Sequence, residues 1–203
     1  NEGRKVLVDQ LAATVLTIAQ DVKIQIEFNP SIVEEYRLIG YENRLLNRED
    51  FNNDRVDAGE IGAGHNVTAL YEISLVGSDG AASDPLRYGE ASIASSGRGD
   101  ELAFLRLRYK MPGEDKSRLI EEPLHRSEIT SKPSDRLRFA AAVAGFADAL
   151  RGGTHLGGWT LNDIGELARS ASSDTNGYRT EFVELIVLAQ TLSASAGHAV
   201  IAR

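Results

Sequence analysis

Two switches of hydrophobic period constrain this fold more than any other feature of the chain. Val22, Ile24, Ile26 and Phe28 alternate with Lys23, Gln25 and Glu27, and Val67, Ala69, Tyr71 and Ile73 alternate with Thr68, Glu72 and Ser74. Leu105, Leu107 and Tyr109 alternate with Arg106, Arg108 and Lys110. A period of two places each set on its own face of a strand. Before Val22 and after Pro133 the apolar spacing is instead three and four, which lines one face of a helix. Further extended runs at 33–41 and 117–124 are joined by turn chemistry such as Gly77-Ser78-Asp79-Gly80 and Pro112-Gly113, with no helix long enough for a parallel crossover. The expected class is therefore α+β: a mainly antiparallel β-sandwich followed by a C-terminal helical segment.

The opening residues place Leu7, Leu11, Val15 and Ile18 on one helical face, so 1–20 is predicted as a helix, 21–132 as the sandwich and 133–203 as three helices. A chain that begins almost directly in a helix leads to the expectation that the natural protein extends upstream. In the last segment Ser134 is the N-cap of a helix carrying Phe139, Val143, Phe146 and Leu150, stopped by Gly152-Gly153. Thr160 and Asp163 have the spacing of a capping box ahead of Leu161, Ile164, Leu167 and Ala171. The final helix is expected to bury Tyr178, Phe182, Leu185, Ala189 and Leu192 and to end near Gly197. Trp159, between helices, is expected in the core.

Composition excludes several classes of function. The chain has no cysteine, which removes disulfides, thiolate metal sites and thiol catalysis. Its 22 basic against 30 acidic residues give a net charge of −8, the wrong sign for a general phosphate-backbone binder, so no nucleic-acid partner is expected. No apolar run approaches the roughly 18 residues of a spanning helix, so no membrane insertion is expected of these residues. No cofactor is expected.

The chemistry-bearing motifs are incomplete. Asp50, Asn52 and Asp54 match the first three ligand positions of a D-x-N-x-D calcium loop, but Arg55 stands where the turn glycine belongs and Ile61 where the bidentate glutamate belongs, with Glu60 one place early. These three residues are the weak metal candidates. Gly59, Gly62 and Gly64 run G-x-x-G-x-G, reversed from a dinucleotide fingerprint and ahead of a strand rather than a helix. His65 is the candidate base for a rival reading, a hydrolase working with carboxylates in a cleft; His125, His155 and His198 are equally isolated in sequence. No G-x-S-x-G elbow occurs, and no catalytic residue is assigned. Arg98-Gly99-Asp100 is an integrin-type tripeptide in an expected loop. The row Arg106, Arg108 and Lys110 reads as the wet face of its strand. Arg98, Asp100, Arg106 and Arg108 are the candidate contacts for a protein partner.

Longer stretches carry a resemblance. Tyr36-Arg37-Leu38-Ile39-Gly40-Tyr41-Glu42-Asn43-Arg44, Asp57 through His65, Thr68-Ala69-Leu70-Tyr71-Glu72, Leu107-Arg108-Tyr109-Lys110, Arg138 through Ala144 and Gly177 through Phe182 resemble the C-terminal region of bacterial von Willebrand factor type A domain proteins of the YfbK type. The resemblance implies a von Willebrand factor type A domain upstream, with 1–20 similar to its last helix. The D-x-S-x-S metal motif of that domain is absent here, so its metal chemistry does not carry over. The resemblance further implies export to the bacterial cell envelope, periplasmic or lipoprotein-anchored. The function expected from both lines is a non-catalytic accessory module that supports the upstream domain and binds a protein partner.

Overall fold

A computed structural model describes residues 16–40, 46–78, 99–173 and 176–201. The chain divides into two compact units, 1–129 and 130–203. The first holds six strands: β1 (Thr17–Phe28), β2 (Val33–Ile39), β3 (Gly59–Gly62), β4 (Leu70–Leu75), β5 (Glu101–Lys110) and β6 (Arg118–His125). The second holds three helices: α1 (Asp135–Leu150), α2 (Leu161–Ser170) and α3 (Tyr178–Ile201). The class is α+β, and every strand pair is antiparallel.

One sheet has the order β3-β1-β5-β6, and the other pairs β2 with β4. β1 organises the first. Asp21 takes a positive φ of 50°, and the register against both neighbours slips there by one residue: Gln20 and Lys23 face Lys110 and Arg108, while Ala19 and Val22 face Ile61 and Gly59. That is a β-bulge, which bends the strand and turns the Asp21 carboxylate toward Lys110. At the other end Asn29 stops β1. Its Oδ1 accepts from the Ser31 amide and hydroxyl, and its Nδ2 donates to the Glu101 carbonyl. Pro30 fits this Asx turn, and the chain reverses into β2. The Phe28 ring meets Tyr36 at 4.6 Å and Tyr71 at 5.4 Å, joining the end of β1 to one face of the β2-β4 pair.

Several expectations need correction here. β1 starts at Thr17, so Ile18 lies in a strand and not in a helix; β-branched Thr17 and Ile18 suit the pleat, and Thr17 pairs with Gly62. The rest of the predicted N-terminal helix lies outside the described residues. Gly59–Gly62, read as part of a glycine run ahead of a strand, is itself the strand that supplies that pairing. β4 begins only at Leu70, and Val67 is exposed, because nothing pairs with it among the described residues.

In the second unit the caps form as expected. The Ser134 hydroxyl accepts from the Leu137 amide, and Thr160 and Asp163 exchange side-chain-to-backbone bonds in a full capping box. The buried seam is displaced, however. Ala142, Phe146, Ile164, Ala168 and Ile186 form the core, while Val143, Leu150, Leu185 and Leu192, expected inside, are exposed. Small residues explain this: a Cβ on Gly145 would sit 3.3 Å from Ile164 Cγ1, so α1 and α2 approach over glycine and alanine and not over the bulkier seam. Phe182 reaches Phe139 and Phe146 edge-on at 5.2 and 5.6 Å, tying α3 to α1. Trp159 is 45 % exposed and not core. α3 continues past Gly197 to Ile201.

Candidate functional site

Across β1 and β5, the cross-strand pairs Lys23↔Arg108 and Gln25↔Arg106 put Lys23, Gln25, Arg106 and Arg108 on one face of the sheet. This face is covered by the loop 46–58, which enters through a short 3-10 turn, Arg48–Asn52. Phe51 at the centre of that turn is 2 % exposed, with the Arg106 and Arg108 guanidiniums 5.0 and 5.8 Å from its ring. An aromatic ring flanked by planar cations gains both apolar burial and cation-π attraction.

The two lysines then hold the loop backbone, and the two arginines bond to side chains. Lys23 is 3 % exposed, and its Nζ donates to the Asp50 carbonyl at 3.2 Å and the Asn53 carbonyl at 2.5 Å. Lys110 Nζ donates to the Asp54 carbonyl at 2.8 Å and to Asp21 Oδ2 at 2.6 Å. Arg108 donates to Ser117 Oγ at 2.7 Å and Asn52 Oδ1 at 3.1 Å, and stands 3.5 Å from an Asp54 carboxylate oxygen. Arg106 donates to Glu121 at 3.1 Å and Gln25 at 3.4 Å. A buried ammonium needs its protons accepted and a loop carbonyl needs a donor, so the two requirements meet each other. The Lys110 hydrogen bond holds the Asp21 carboxyl below its ordinary pKa, helped by the Ala58 amide, and burial opposes this only in part. Asp54 is lowered mainly by hydrogen bonds from Ser117, with Arg108 and Lys110 adding charge. Lys110 is raised by the same Asp21 bond.

This geometry redefines the sequence candidates. Asp50, Asn52 and Asp54 do not converge as ligands: Asp50 Oδ2 accepts from Asn47, Asn52 accepts from Arg108, and Asp54 faces Arg108. Glu60 lies in β3 and accepts a long bond from Thr17. The Lys23 ammonium already occupies the carbonyl-lined side of the loop, where a divalent cation would meet repulsion. Among the described residues no three histidine or carboxylate side chains form a metal cluster. Arg106 and Arg108, read as a wet row, have side chains only 28 % and 19 % exposed and bond to other side chains of the protein, although Arg108 Nε is buried without a partner among the described residues. Alternation put them on one face but did not reveal that the loop covers it. Arg98 lies outside the described residues. Asp100 receives the Arg126 amide on its carbonyl and stands 3.2 Å from His125. His65 is exposed in a turn, its amide bonded to the Gly62 carbonyl, and His155 pairs with Asp148. Sequence reasoning passed over Asp21, Lys23 and Phe51; a lone phenylalanine inside the polar Asp50-Phe51-Asn52-Asn53-Asp54 run was the available signal.

Beside the tied loop, a cleft of about 290 Å³ runs along β1 at 24–28, bounded by Tyr36, Asn47, Arg48 and Phe51. A second, of about 350 Å³, lies at the Asn29-Pro30-Ser31 turn against Ala103 and Pro123.

Comparison with known proteins agrees with the long-stretch resemblance. No solved structure matches. A curated relative, "Uncharacterized protein YfbK" of Escherichia coli (strain K12), is 46% identical over 191 residues, covering 93% of this chain and 33% of the relative. The chain thus spans about a third of the length of that relative. The family model described as "Uncharacterized protein YfbK, C-terminal" matches residues 13–192, taking in both the strand unit and the helical unit. The match spans β1, the cation-tied loop and all but the end of α3, and on that evidence the chain belongs to the YfbK C-terminal family.

Proposed function

We propose that this chain is a non-catalytic, protein-binding accessory module, working in the bacterial cell envelope beside a von Willebrand factor type A domain placed upstream in the longer protein. The observation that carries the reading is apolar surface left uncovered on regular elements. Ile24, Leu107 and Ile120 form a cross-strand row on the sheet face opposite the loop, with Ile24 46 % and Ile120 49 % exposed. Leu185, Leu188 and Leu192 line one exposed side of α3. Clustered apolar surface on packed elements marks an interaction site more than a catalytic one. The relative's greater length supports a role next to further domains.

The test is affinity capture from envelope extract with this chain as bait, beside the intact longer protein, with partners identified by mass spectrometry. Retention of the same partner by both supports recognition in this module. Retention by the intact protein alone assigns recognition elsewhere and leaves this chain a scaffold.

A further inference from the structure

Part of the β1 edge has no paired strand among the described residues. β3 pairs with β1 only as far as Val22↔Gly59, after which the chain leaves the edge and Ala58 bonds to Asp21. From 23 to 28 β1 pairs with β5 on one side, and among the described residues no strand pairs with its other side. In a strand paired on one side, alternate N–H and C=O groups point away from the partner and need hydrogen bonds. Natural edges are blunted by proline, inward lysine or a bulge. Here the bulge at Asp21 precedes the open stretch, Lys23 is turned onto the loop, and Pro30 lies beyond it.

The flanks of this edge are shaped as well as open. The cleft of about 290 Å³ follows 24–28 along its length, with the Tyr36 and Phe51 rings among its walls. Arg48 and Glu27 also line it, both exposed, and neither side chain has a partner among the described residues. We infer that the β1 edge at 23–28 binds an extended segment of a partner protein by strand addition, taking apolar side chains at alternate positions, a carboxylate against Arg48 and a basic group against Glu27. Main-chain bonds would supply affinity, and the flanking pockets and charges specificity. This inference rests on the protein-binding reading above and names its site.

The test selects a phage-displayed library of random twelve-residue peptides on the full chain, then measures synthetic copies of the selected peptides by calorimetry and amide hydrogen exchange. Binding should protect amides within 23–28. N-methylating alternate residues of a peptide in one register should weaken it by roughly 10-fold for two lost hydrogen bonds, and in the other register far less. Arg48→Glu, an exposed change that leaves the fold intact, should shift the selection from acidic to basic peptides. Peptides that bind without protecting 23–28, or that ignore N-methylation in both registers, overturn the inference. If they protect α3 or the Ile120 face instead, the protein-binding reading stands and only the edge falls. A self-associated dimer protected at 23–28 would also overturn it, since the occupant is then a second copy. Failure to recover any peptide overturns the edge; failed capture from extract besides removes the wider reading.

Discussion

Lys23 is the residue on which the loop most depends. Its ammonium sits in protein and serves two carbonyls, so Lys23→Met keeps the aliphatic bulk but removes both charged bonds, leaving the Asp50 and Asn53 carbonyls with only the Asn53 and Val56 amides. Hydrogen bonds from a charged group contribute about 1.5–3 kcal/mol, so urea melts should show a loss of about that size, with faster exchange of amides in 50–56. Asp21 gives a pH signature. Its folded pKa lies below the unfolded one, so its stabilisation is complete above the unfolded value of about 3.9 and is lost as pH falls through the lowered folded value. Asp21→Asn should therefore be less stable than the parent near neutral pH, and the gap should close in strong acid. A gap constant across that range would show that the Lys110 bond contributes nothing. None of this was legible in the residues alone, because Lys23 alternates like any solvated lysine and only the loop above it makes it a buried donor.

At the scale of elements, the helices show how far a period reaches. Phe139, Val143, Phe146 and Leu150 do share a helical stripe, as do Phe182, Leu185, Ala189 and Leu192. Packing chose the centre of each stripe, and it chose the small residues. Ile164 is fully buried between α1 and α3, so Ile164→Ala should lower stability by about 2–5 kcal/mol in denaturant melts. Gly145→Val should also destabilise, because its side chain would enter the space held by Ile164 and Trp159 and force α1 away from α2. The capping box was readable in sequence because its geometry is local. Thr160→Ala should cost about 1 kcal/mol, measured as lost helicity and a lower Tm.

For the whole molecule, the division at 129–130 has a direct test. The helical unit carries its own core of Ala142, Phe146, Ile164, Ala168 and Ile186, so 130–203 expressed alone should show a helical circular dichroism spectrum and a cooperative melt. A non-cooperative melt would mean that its apolar faces need the rest of the protein. Sequence by itself determined the α+β class, the antiparallel sense of the strands, both helix caps and the absence of thiol chemistry, since each depends on neighbours in the chain or on composition. Long stretches such as Tyr36 through Arg44 sufficed for the family as well. Only the tertiary structure decided that Arg106 and Arg108 lie beneath a loop, that Asn52 and Asp54 of the calcium-like run face Arg108, and that 23–28 of β1 pairs on one side only among the described residues. Those outcomes join residues far apart in the chain, as Lys110 with Asp21 and Arg108 with Asn52, and no local period encodes which surfaces will meet.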